Sequence, residues 1–380
     1  MKVLLVLDVF DITMNGISTS AQRLKGELEK RGHEVRVAAR GNEMPGKYLF
    51  KDFKFPIFDK LVRSQGFVFG IPDDKVMDEA VRWADIVHTM MPFPLERCAI
   101  FSAMRNGVPY TSSFHVQPEN IWYSVHLGNF KPLINLTYWV AKKYLFDHCR
   151  LVQCPSAMIA GQLKKHHYKN EMKVISNGID PMFHYKKREK DEEFRGKFLI
   201  VMSGRLSGEK RQDVLIEAVR KSKHSKDIQL LLAGDGPMKD SYVKRGSSLP
   251  NPIRTRFFKH SDLLDLFAQS DLYVHTSDAE IEGMGCMEAF ASGLVPVIAD
   301  SDRSATPQFA LDERSLFKAG NSTDLANKID YWIEHEEERK KMEVEYAKFA
   351  NEKYSIDAVI TQMEKMFLDE IALFKEKSAT

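Results

Sequence analysis

Runs of apolar residues alternate with amphipathic stretches through the first half of the chain. Lys2 to Asp8 is a continuous apolar run, which is typical of a central parallel strand buried on both faces. A helix is predicted from Ile17 to about Arg31, and a second strand from Glu34 to Ala39. The pattern predicts a doubly wound α/β domain over residues 1–180. Further strands of this domain are predicted at Asp85 to His88, Val108 to Ser112, Leu151 to Cys154 and Met172 to Ile175.

The alternation stops at residues 181–196 and then starts again. The segment PMFHYKKREKDEEFRG is charged and nearly free of aliphatic residues, which predicts a linker. Residues 197–353 are predicted to form a second Rossmann-like domain, and apolar residues at helical spacing predict a final helix over 354–380. The predicted elements of the second domain are strands at 198–203, 228–233, 254–258, 272–275 and 294–299, with helices at 211–221 and 263–268.

Length and composition agree with two soluble domains. The 380 residues exceed what one core usually holds, and 43% hydrophobic with 28% charged residues are typical of a globular protein. No apolar run approaches the ~20 residues of a membrane span, and MKVLLVLDVFD lacks the pattern of a signal peptide, so we expect a cytoplasmic protein. The cysteines show no paired spacing, which argues against a zinc ribbon or a disulfide framework. They are Cys98, Cys149, Cys154 and Cys286.

The net charge of +2 is unevenly distributed. Residues 1–180 carry a net charge of +6, and residues 181–380 carry −4. A basic N-terminal half suits an anionic surface or a phosphate-bearing partner, although charge of this size also occurs without function. We expect no nucleic-acid partner.

The densest candidate chemistry lies in SDAEIEGMGCMEAFASGLVPVIAD, residues 277–300. Glu280 lies on a predicted loop and Glu288 on the short helix that follows, so the two carboxylates can face one ligand from different elements. Gly283 and Gly285 leave backbone N–H groups uncovered at the N-terminus of this helix, which favours an anionic or polyhydroxyl ligand. The alternative is a strand-loop-helix corner with two solvated acids.

A second stretch, SGRLSGEK, offers two cations beside a predicted helix N-terminus. Arg205 follows a predicted strand, and Lys210 lies at the helix entrance. Arginine can hold two phosphate oxygens while lysine adds a mobile point charge, so the pair suits a diphosphate; the alternative is a solvated basic loop. His115 follows another buried strand at its C-terminal end, where ligands gather in open α/β sheets, although a lone histidine is more often a packed imidazole.

Together these motifs resemble the retaining glycosyltransferases of family 4. Glu280, Gly283, Glu288, Gly293 and Pro296 match the signature of that family, and the same stretch resembles bacterial diacylglycerol glucosyltransferases. The resemblance spans nearly the whole chain. It implies a GT-B fold, in which two tandem Rossmann-like domains face one cleft and the last helix crosses back onto the N-terminal acceptor domain.

The resemblance also implies roles for individual residues. Arg205 and Lys210 would bind the diphosphate of a UDP-sugar, Glu280 the hexose hydroxyls and Glu288 the ribose hydroxyls. The implied catalytic residues are His115, Arg205, Lys210 and Glu280. The implied nucleotide-sugar-binding residues are Gly16, Gly204, Arg205, Lys210, Gly234, Phe258, Lys259, Glu280, Gly283, Met284, Gly285 and Glu288.

The chain departs from the family at three places. Asn15-Gly16 stands where Gly-Gly is usual, Val116-Gln117 where many members have an Asp, and His275 where a Pro is common. None of these removes a charge that the chemistry needs. The implied reaction keeps the anomeric configuration without a protein nucleophile, so catalysis must come from charge stabilisation and orientation. No metal or cofactor is expected, since Asp300-Ser301-Asp302 has the spacing of a metal-binding pair but follows a strand where the family has a plain loop.

The acceptor is predicted from an aromatic and basic segment, Tyr48 to Phe69. This composition is typical of an interfacial segment, with core aromatics and solvated lysines as the alternative. A second region of this kind is Trp122 to Phe146. We therefore expect a lipid acceptor, diacylglycerol or a glycosyl-diacylglycerol, and peripheral docking on the inner face of the cell membrane. The predicted membrane-binding residues are Lys51, Phe53, Lys54, Phe55, Phe58, Lys60 and Arg63.

Two other functions stay open at this stage. The same transfer to a cell-surface or capsular glycan intermediate is the main alternative. A noncatalytic protein that binds a sugar nucleotide is a third possibility, and the presence of Arg205, Lys210, Glu280 and Glu288 weighs against it. A Rossmann dehydrogenase is excluded because the glycine fingerprint of dinucleotide binding is absent.

Overall fold

The computed structural model describes residues 1–11, 16–54, 68–123 and 127–379. The chain divides into two compact units. Unit 1 comprises Met1–Trp122, Gly128–Asn177 and Asp357–Thr380, and unit 2 comprises Tyr123–Leu127 and Gly178–Ile356.

Unit 1 is built on a parallel sheet flanked by helices. The described elements are β1 (Lys2–Val6), α1 (Gly16–Lys30), β2 (Glu34–Arg40), β3 (Lys47–Phe50), β4 (Asp52–Phe53), β5 (Phe69–Gly70), α2 (Asp74–Trp83), β6 (Ile86–Thr89), α3 (Pro94–Asn106), β7 (Tyr110–Ser113), α4 (Pro118–Tyr123), α5 (Lys131–Tyr144), β8 (Leu151–Cys154), α6 (Ala157–Lys165) and β9 (Glu171–Val174). The order in the sheet is β3-β2-β1-β6-β7-β8-β9, while β4 and β5 form a separate antiparallel pair.

Helices cover both faces of this sheet, which is the doubly wound arrangement. Leu4 and Val6 of β1 belong to an apolar cluster that includes residues of α2 and α3. Val37 and Ala39 of β2 belong to another cluster, which includes Ala21 of α1. Burial on both faces explains why the first strand reads as a continuous apolar run.

The last helix, α13 (Ile356–Ala379), packs in unit 1. Its Glu364 carboxylate accepts a hydrogen bond from Arg31 Nη1 at 3.0 Å. Glu370 accepts one from Arg150 Nε at 3.1 Å, and the ring of Phe367 lies 5.2 Å from that of His88. The chain therefore finishes on the sheet where it began.

Unit 2 contains a second parallel sheet. Its described elements are β10 (Phe198–Ser203), α7 (Gln212–Lys221), β11 (Ile228–Ala233), α8 (Lys239–Gly246), β12 (Arg254–Arg256), α9 (Leu263–Gln269), β13 (Leu272–His275), α10 (Met284–Ala291), β14 (Pro296–Asp300), β15 (Leu316–Lys318), α11 (Ser322–Glu334) and α12 (Glu336–Tyr354). The strand order is β12-β11-β10-β13-β14-β15. Counted within the unit this is 3-2-1-4-5-6, the Rossmann order.

The predicted linker, residues 181–196, packs on unit 2. This segment belongs to unit 2, where Phe183 and Phe194 are almost fully buried in the core. Its charged side chains have partners there as well, since Lys187 pairs with Glu343 at 3.0 Å and Lys190 with Asp271 at 2.5 Å. Two buried aromatic side chains and these ion pairs thus hold on unit 2 a segment that otherwise has the composition of a linker.

Candidate active site

The candidate site lies at the carboxyl edge of the sheet in unit 2. Strands β10 and β13 are hydrogen-bonded neighbours. Strands β11 and β12, which follow β10 in the chain, lie on one side of it in the sheet. Strands β14 and β15, which follow β13, lie on the opposite side. The loops that leave these two strands therefore separate, and such a switch point opens a crevice that binds ligands in doubly wound sheets.

An ion pair joins the two loops at this point. The ammonium group of Lys210, from the loop after β10, hydrogen-bonds a carboxylate oxygen of Glu280, from the loop after β13. The loops are also held together through their backbones, because Thr276 Oγ1 donates to the Lys210 carbonyl at 2.7 Å and Asp278 N donates to the Glu209 carbonyl at 2.8 Å. The predicted cation and the first predicted acid are thus in direct contact.

The charges of this pair stabilise each other. Burial by itself would raise the pKa of Glu280, but the neighbouring Lys210 and His275 lower that pKa to about 2. Burial would lower the pKa of Lys210, and Glu280 together with Glu209 raises it instead. Both groups are consequently charged over the whole range near neutral pH.

His275 lies behind this pair, at the last position of β13. Its side chain is 2% exposed, and Nε2 lies 3.5 Å from Glu280 Oε2, which is long for a hydrogen bond. Burial is the main cause that lowers the pKa of His275, so the imidazole is neutral near pH 7. Neither ring nitrogen has a hydrogen-bond partner among the described residues. The histidine that replaces the usual proline of the family is therefore a buried polar group next to Glu280.

Two glycines bring the backbone of α10 close to this pair. Gly283 precedes the helix in the left-handed region with φ 90°, and a Cβ there would lie 2.3 Å from Thr306 Cγ2. A Cβ on Gly285 would lie 2.5 Å from Ser203 Oγ at the end of β10. Glycine suits both positions, because L side chains rarely adopt the conformation of Gly283 and because a methyl group at position 285 would have to displace the Ser203 hydroxyl. Met284 between them is half-buried.

The second predicted acid, Glu288, lies on α10 and is 5% exposed. His260 Nε2 donates a hydrogen bond to its Oε1 at 2.9 Å. The segment before His260 carries the predicted base-binding residues, a half-buried Phe258 and an exposed Lys259, which lie beyond the end of β12. The sequence analysis missed His260, although its position directly after Lys259 was the available signal.

The remaining predicted residues of unit 2 lie in the loops after β10 and β11. Gln212 Nε2 donates to the carbonyl of Arg205 at 2.9 Å, which fixes the backbone of this half-buried arginine. A Cβ on Gly234 would lie 1.9 Å from the carbonyl oxygen of Gly204, so these two loops are in backbone contact. The structure thus gathers the predicted residues of unit 2 around adjacent strand ends, and their roles toward a ligand stay predictions.

Gly16 and His115 belong to unit 1. Gly16 is the first residue of α1, and a Cβ there would meet nothing within 4 Å. His115 follows β7 and is 6% exposed, and burial lowers its pKa to about 4. The imidazole is therefore neutral at neutral pH, and any contact with a sugar would be a hydrogen bond rather than a charge interaction.

The predicted membrane-binding residues are only partly described. Lys51, Phe53 and Lys54 are exposed, with Phe53 at 41%. Phe55, Phe58, Lys60 and Arg63 lie outside the described residues. Among the helices that the structure describes, none is long and apolar enough to cross a membrane.

No group of three or more His, Cys, Asp or Glu side chains suited to a metal ion is found within residues 1–11, 16–54, 68–123 and 127–379. Asp300 ends β14, and both Asp300 and Asp302 are exposed. Independence from metal stays a prediction.

The sequence is similar to known glycosyltransferases. The family described as Glycosyltransferase Family 4 matches residues 14–183, and the family described as Glycosyl transferases group 1 matches residues 184–349. The alpha-monoglucosyldiacylglycerol synthase of Streptococcus pneumoniae is 26% identical over 322 residues, which cover 79% of this chain and 71% of that protein.

The chain is also similar to a second glycosyltransferase in sequence and to a solved structure in fold. A GDP-mannose-dependent alpha-mannosyltransferase of Corynebacterium glutamicum is 29% identical over 311 residues, 78% of this chain and 72% of that protein. The Anabaena protein Alr3699/HepE, solved in complex with UDP and glucose, superposes with a TM-score of 0.75 at 17% identity and covers 97% of this chain and 100% of that one. The predicted GT-B fold is confirmed, and the chain belongs to the glycosyltransferases in which a family 4 domain precedes a group 1 domain.

Proposed function

We propose that the protein is a retaining hexosyltransferase that moves glucose or galactose from a UDP-sugar to a lipid acceptor, diacylglycerol or a glycosyl-diacylglycerol. The observation that carries the proposal is the Lys210–Glu280 ion pair at the switch point of unit 2, beside the N-terminus of α10. A lysine at this edge suits a diphosphate, and a carboxylate next to it suits sugar hydroxyls. Gly283 and Gly285 bring the backbone at the start of α10 close to Glu280 and to the end of β10.

In this proposal each charged group binds a different part of the sugar nucleotide. Arg205 and Lys210 bind the diphosphate, and the released Glu280 accepts hydrogen bonds from hexose hydroxyls. Glu288, already oriented by His260, accepts from the ribose hydroxyls. The backbone near Phe258 and Lys259 contacts the base, and the neutral His115 of unit 1 is assigned to the donor sugar.

The reaction needs no protein nucleophile. The bond between the anomeric carbon and the diphosphate oxygen breaks, and a bond from that carbon to the acceptor hydroxyl oxygen forms on the same face. The hydroxyl proton passes to an oxygen of the leaving diphosphate, so UDP departs carrying it. The protein contributes orientation and positive charge at the diphosphate, and loss of one such charge is expected to cost about 10² to 10³ in rate.

The relatives support this donor and acceptor class. The pneumococcal relative is an alpha-monoglucosyldiacylglycerol synthase, and HepE was solved with UDP and glucose. The mannosyltransferase relatives keep GDP-mannose as the competing donor. Thermal unfolding with UDP, GDP and neither nucleotide separates them, because a ligand of the native state raises the unfolding temperature. Stabilisation by GDP alone would overturn the choice of UDP.

The acceptor is tested with the purified protein. Sugar nucleotides are incubated with diacylglycerol vesicles, with sterol-containing vesicles and with soluble sugars, and the products are identified by mass. Hexosylated diacylglycerol supports the proposal, whereas a hexosylated sterol would contradict the proposed acceptor. Hexose on a soluble glycan would favour transfer to a cell-surface or capsular intermediate. Tight UDP binding without any product would favour a noncatalytic sugar-nucleotide-binding protein. Unchanged turnover in EDTA supports the prediction that no metal is needed.

Peripheral docking of a cytoplasmic enzyme on the inner membrane face is part of the same proposal. Exposed Lys51, Phe53 and Lys54 support the predicted segment from Tyr48 to Phe69 as a docking element. Changing Lys51, Lys54 and Lys60 together to Glu should weaken sedimentation with anionic vesicles at low salt. Equal sedimentation of both proteins would remove this segment from the proposal.

A further inference from the structure

Helix α5 of unit 1 exposes a row of large apolar side chains. Its Ile134 and Tyr138 are buried, whereas Leu136 is 52% exposed, Trp139 57% and Val140 48%. Positions 136, 139 and 140 lie on one face of a helix. Phe130, directly before the helix, is 54% exposed. We call these four side chains, Phe130, Leu136, Trp139 and Val140, the α5 face.

Such a row differs from the usual scatter of single exposed apolar residues. Contiguous apolar side chains on a surface mark a site of interaction. Tryptophan is suited to the boundary between water and an apolar phase, because its ring is large and its N–H is polar. The α5 face is therefore suited to an interaction, and the charges around it indicate the kind of partner that it fits.

The surroundings of the α5 face are strongly basic. Residues 128–170 contain seven Lys and Arg but one acid, Asp147, and their net charge equals the whole excess of residues 1–180. Asp147 is itself held by the side chains of Lys142 and Lys143. The exposed lysines of this stretch are Lys131, Lys143, Lys164, Lys165 and Lys169.

The lysines at 164–169 lie beside α5 in space as well as in sequence. The ring of His166 stacks on that of Tyr138 with centroids 3.9 Å apart and 12° between the planes. Tyr168 Oη donates to the Tyr138 carbonyl at 2.7 Å. The basic segment is thus fixed against the buried side of the helix, and Lys143 lies on the same helical face as Leu136, Trp139 and Val140.

We propose that the α5 face is a membrane-docking surface that inserts into an anionic bilayer, with the neighbouring lysines on the lipid phosphates. An amphipathic helix lying in the interface combines an apolar stripe of this kind with basic flanks and few acids. The inference rests on the proposed function, because a lipid acceptor is what brings the enzyme to a membrane. Vesicle binding is measured without donor or turnover, so the two can fail separately.

The test is sedimentation of the full chain with vesicles of phosphatidylcholine, with and without phosphatidylglycerol, at low and high salt. Leu136→Ser combined with Trp139→Ser should lower binding at least about tenfold at both salt concentrations, since burial of each side chain is lost. Lys164→Gln, Lys165→Gln and Lys169→Gln together should lower binding to anionic vesicles about fivefold per lysine at low salt only.

Matched controls keep this result specific. Met104→Ser changes an apolar side chain that is 50% exposed on α3 of the same unit, and it should bind vesicles as the wild type does. The unfolding temperature with and without UDP verifies that each variant is folded. Wild-type binding by the α5 variants, or no vesicle binding by the wild type, would overturn the proposal. It would equally be overturned if the Leu136 and Trp139 changes altered only the oligomeric state in sedimentation velocity, because the partner would then be a second copy.

Discussion

Replacing Lys210 by Met tests whether the Lys210–Glu280 contact is a buried ion pair on which unit 2 depends. Methionine keeps the apolar length of the side chain and removes its charge. Among the described residues, the side chain that then remains next to the Glu280 carboxylate is His275, with Nε2 at 3.5 Å. The two side chains are 17% and 16% exposed, and solvent therefore screens them little. Removing one member of such a pair leaves a buried charge without compensation.

The magnitude follows from the pKa of Glu280. Burial opposes ionisation, yet Lys210 and His275 lower this pKa from 4.5 to about 2. Each pKa unit corresponds to about 1.4 kcal/mol, so the ionised carboxylate contributes about 3 kcal/mol. Because the pKa is lower in the folded state, this contribution is complete above pH 4.5 and is lost as the pH falls through about 2. Loss of Lys210 should thus lower the unfolding temperature of unit 2 by roughly 6 to 12 °C at pH 7.

Scanning calorimetry of the wild type, Lys210→Met, Glu280→Gln and the double variant measures this coupling. Each single change leaves a buried charge without its partner, whereas the double variant leaves none. We therefore expect the double variant to be more stable than the sum of the two single losses predicts, by about 3 kcal/mol at pH 7. Lys226→Met removes an exposed lysine of the same unit and should change little. A coupling free energy below about 1 kcal/mol, which is the range of exposed ion pairs, would refute the reasoning.

Three further predictions concern the same site. Gly285→Ala should destabilise the protein by about 1 to 3 kcal/mol in calorimetry, because its Cβ would lie 2.5 Å from a hydroxyl oxygen at the end of β10; an unchanged unfolding temperature would contradict this. His275→Phe should raise KM for the sugar nucleotide without changing UDP affinity, because His275 acts through Glu280, and His275→Gln should restore KM. An equal loss of UDP affinity in His275→Phe would contradict this role. His260→Ala should weaken UDP binding about tenfold in titration calorimetry, as the partner of Glu288 is lost, and wild-type affinity would show that Glu288 needs no such partner.

The sequence predicted the sheet strands well because buried parallel strands are apolar runs. The strands predicted at Leu151 to Cys154, Phe198 to Ser203 and Leu272 to His275 have those bounds in the structure. The fifth strand of unit 2 is predicted to begin at Leu294 but begins at Pro296, because Leu294 and Val295 are buried in the irregular segment that precedes the strand. Buried residues are apolar whether they lie in a strand or just before it, so composition alone does not mark where the strand begins.

Contacts between distant residues could not be predicted in the same way. Lys210 and Glu280 are 70 positions apart and His260 and Glu288 are 28 apart, so their pairing depends on strand order, which the sequence does not state. The GT-B resemblance implied that these residues share a ligand, but it did not imply that they bond to each other. The region from Trp122 to Phe146 was predicted as interfacial, but helical spacing alone does not show that Leu136 and Trp139 are the side chains left exposed.

Transfer of hexose to lipid by the wild type and by Glu280→Gln tests the proposed function most directly. Each protein is incubated with UDP-glucose or UDP-galactose and diacylglycerol vesicles, and the extracted lipid is analysed by mass spectrometry over time. We predict a product heavier than diacylglycerol by one hexosyl residue from the wild type, formed at least about 100-fold more slowly by Glu280→Gln. Unmodified lipid from the wild type with both donors, or equal rates for the two proteins, would contradict the proposed reaction at this site.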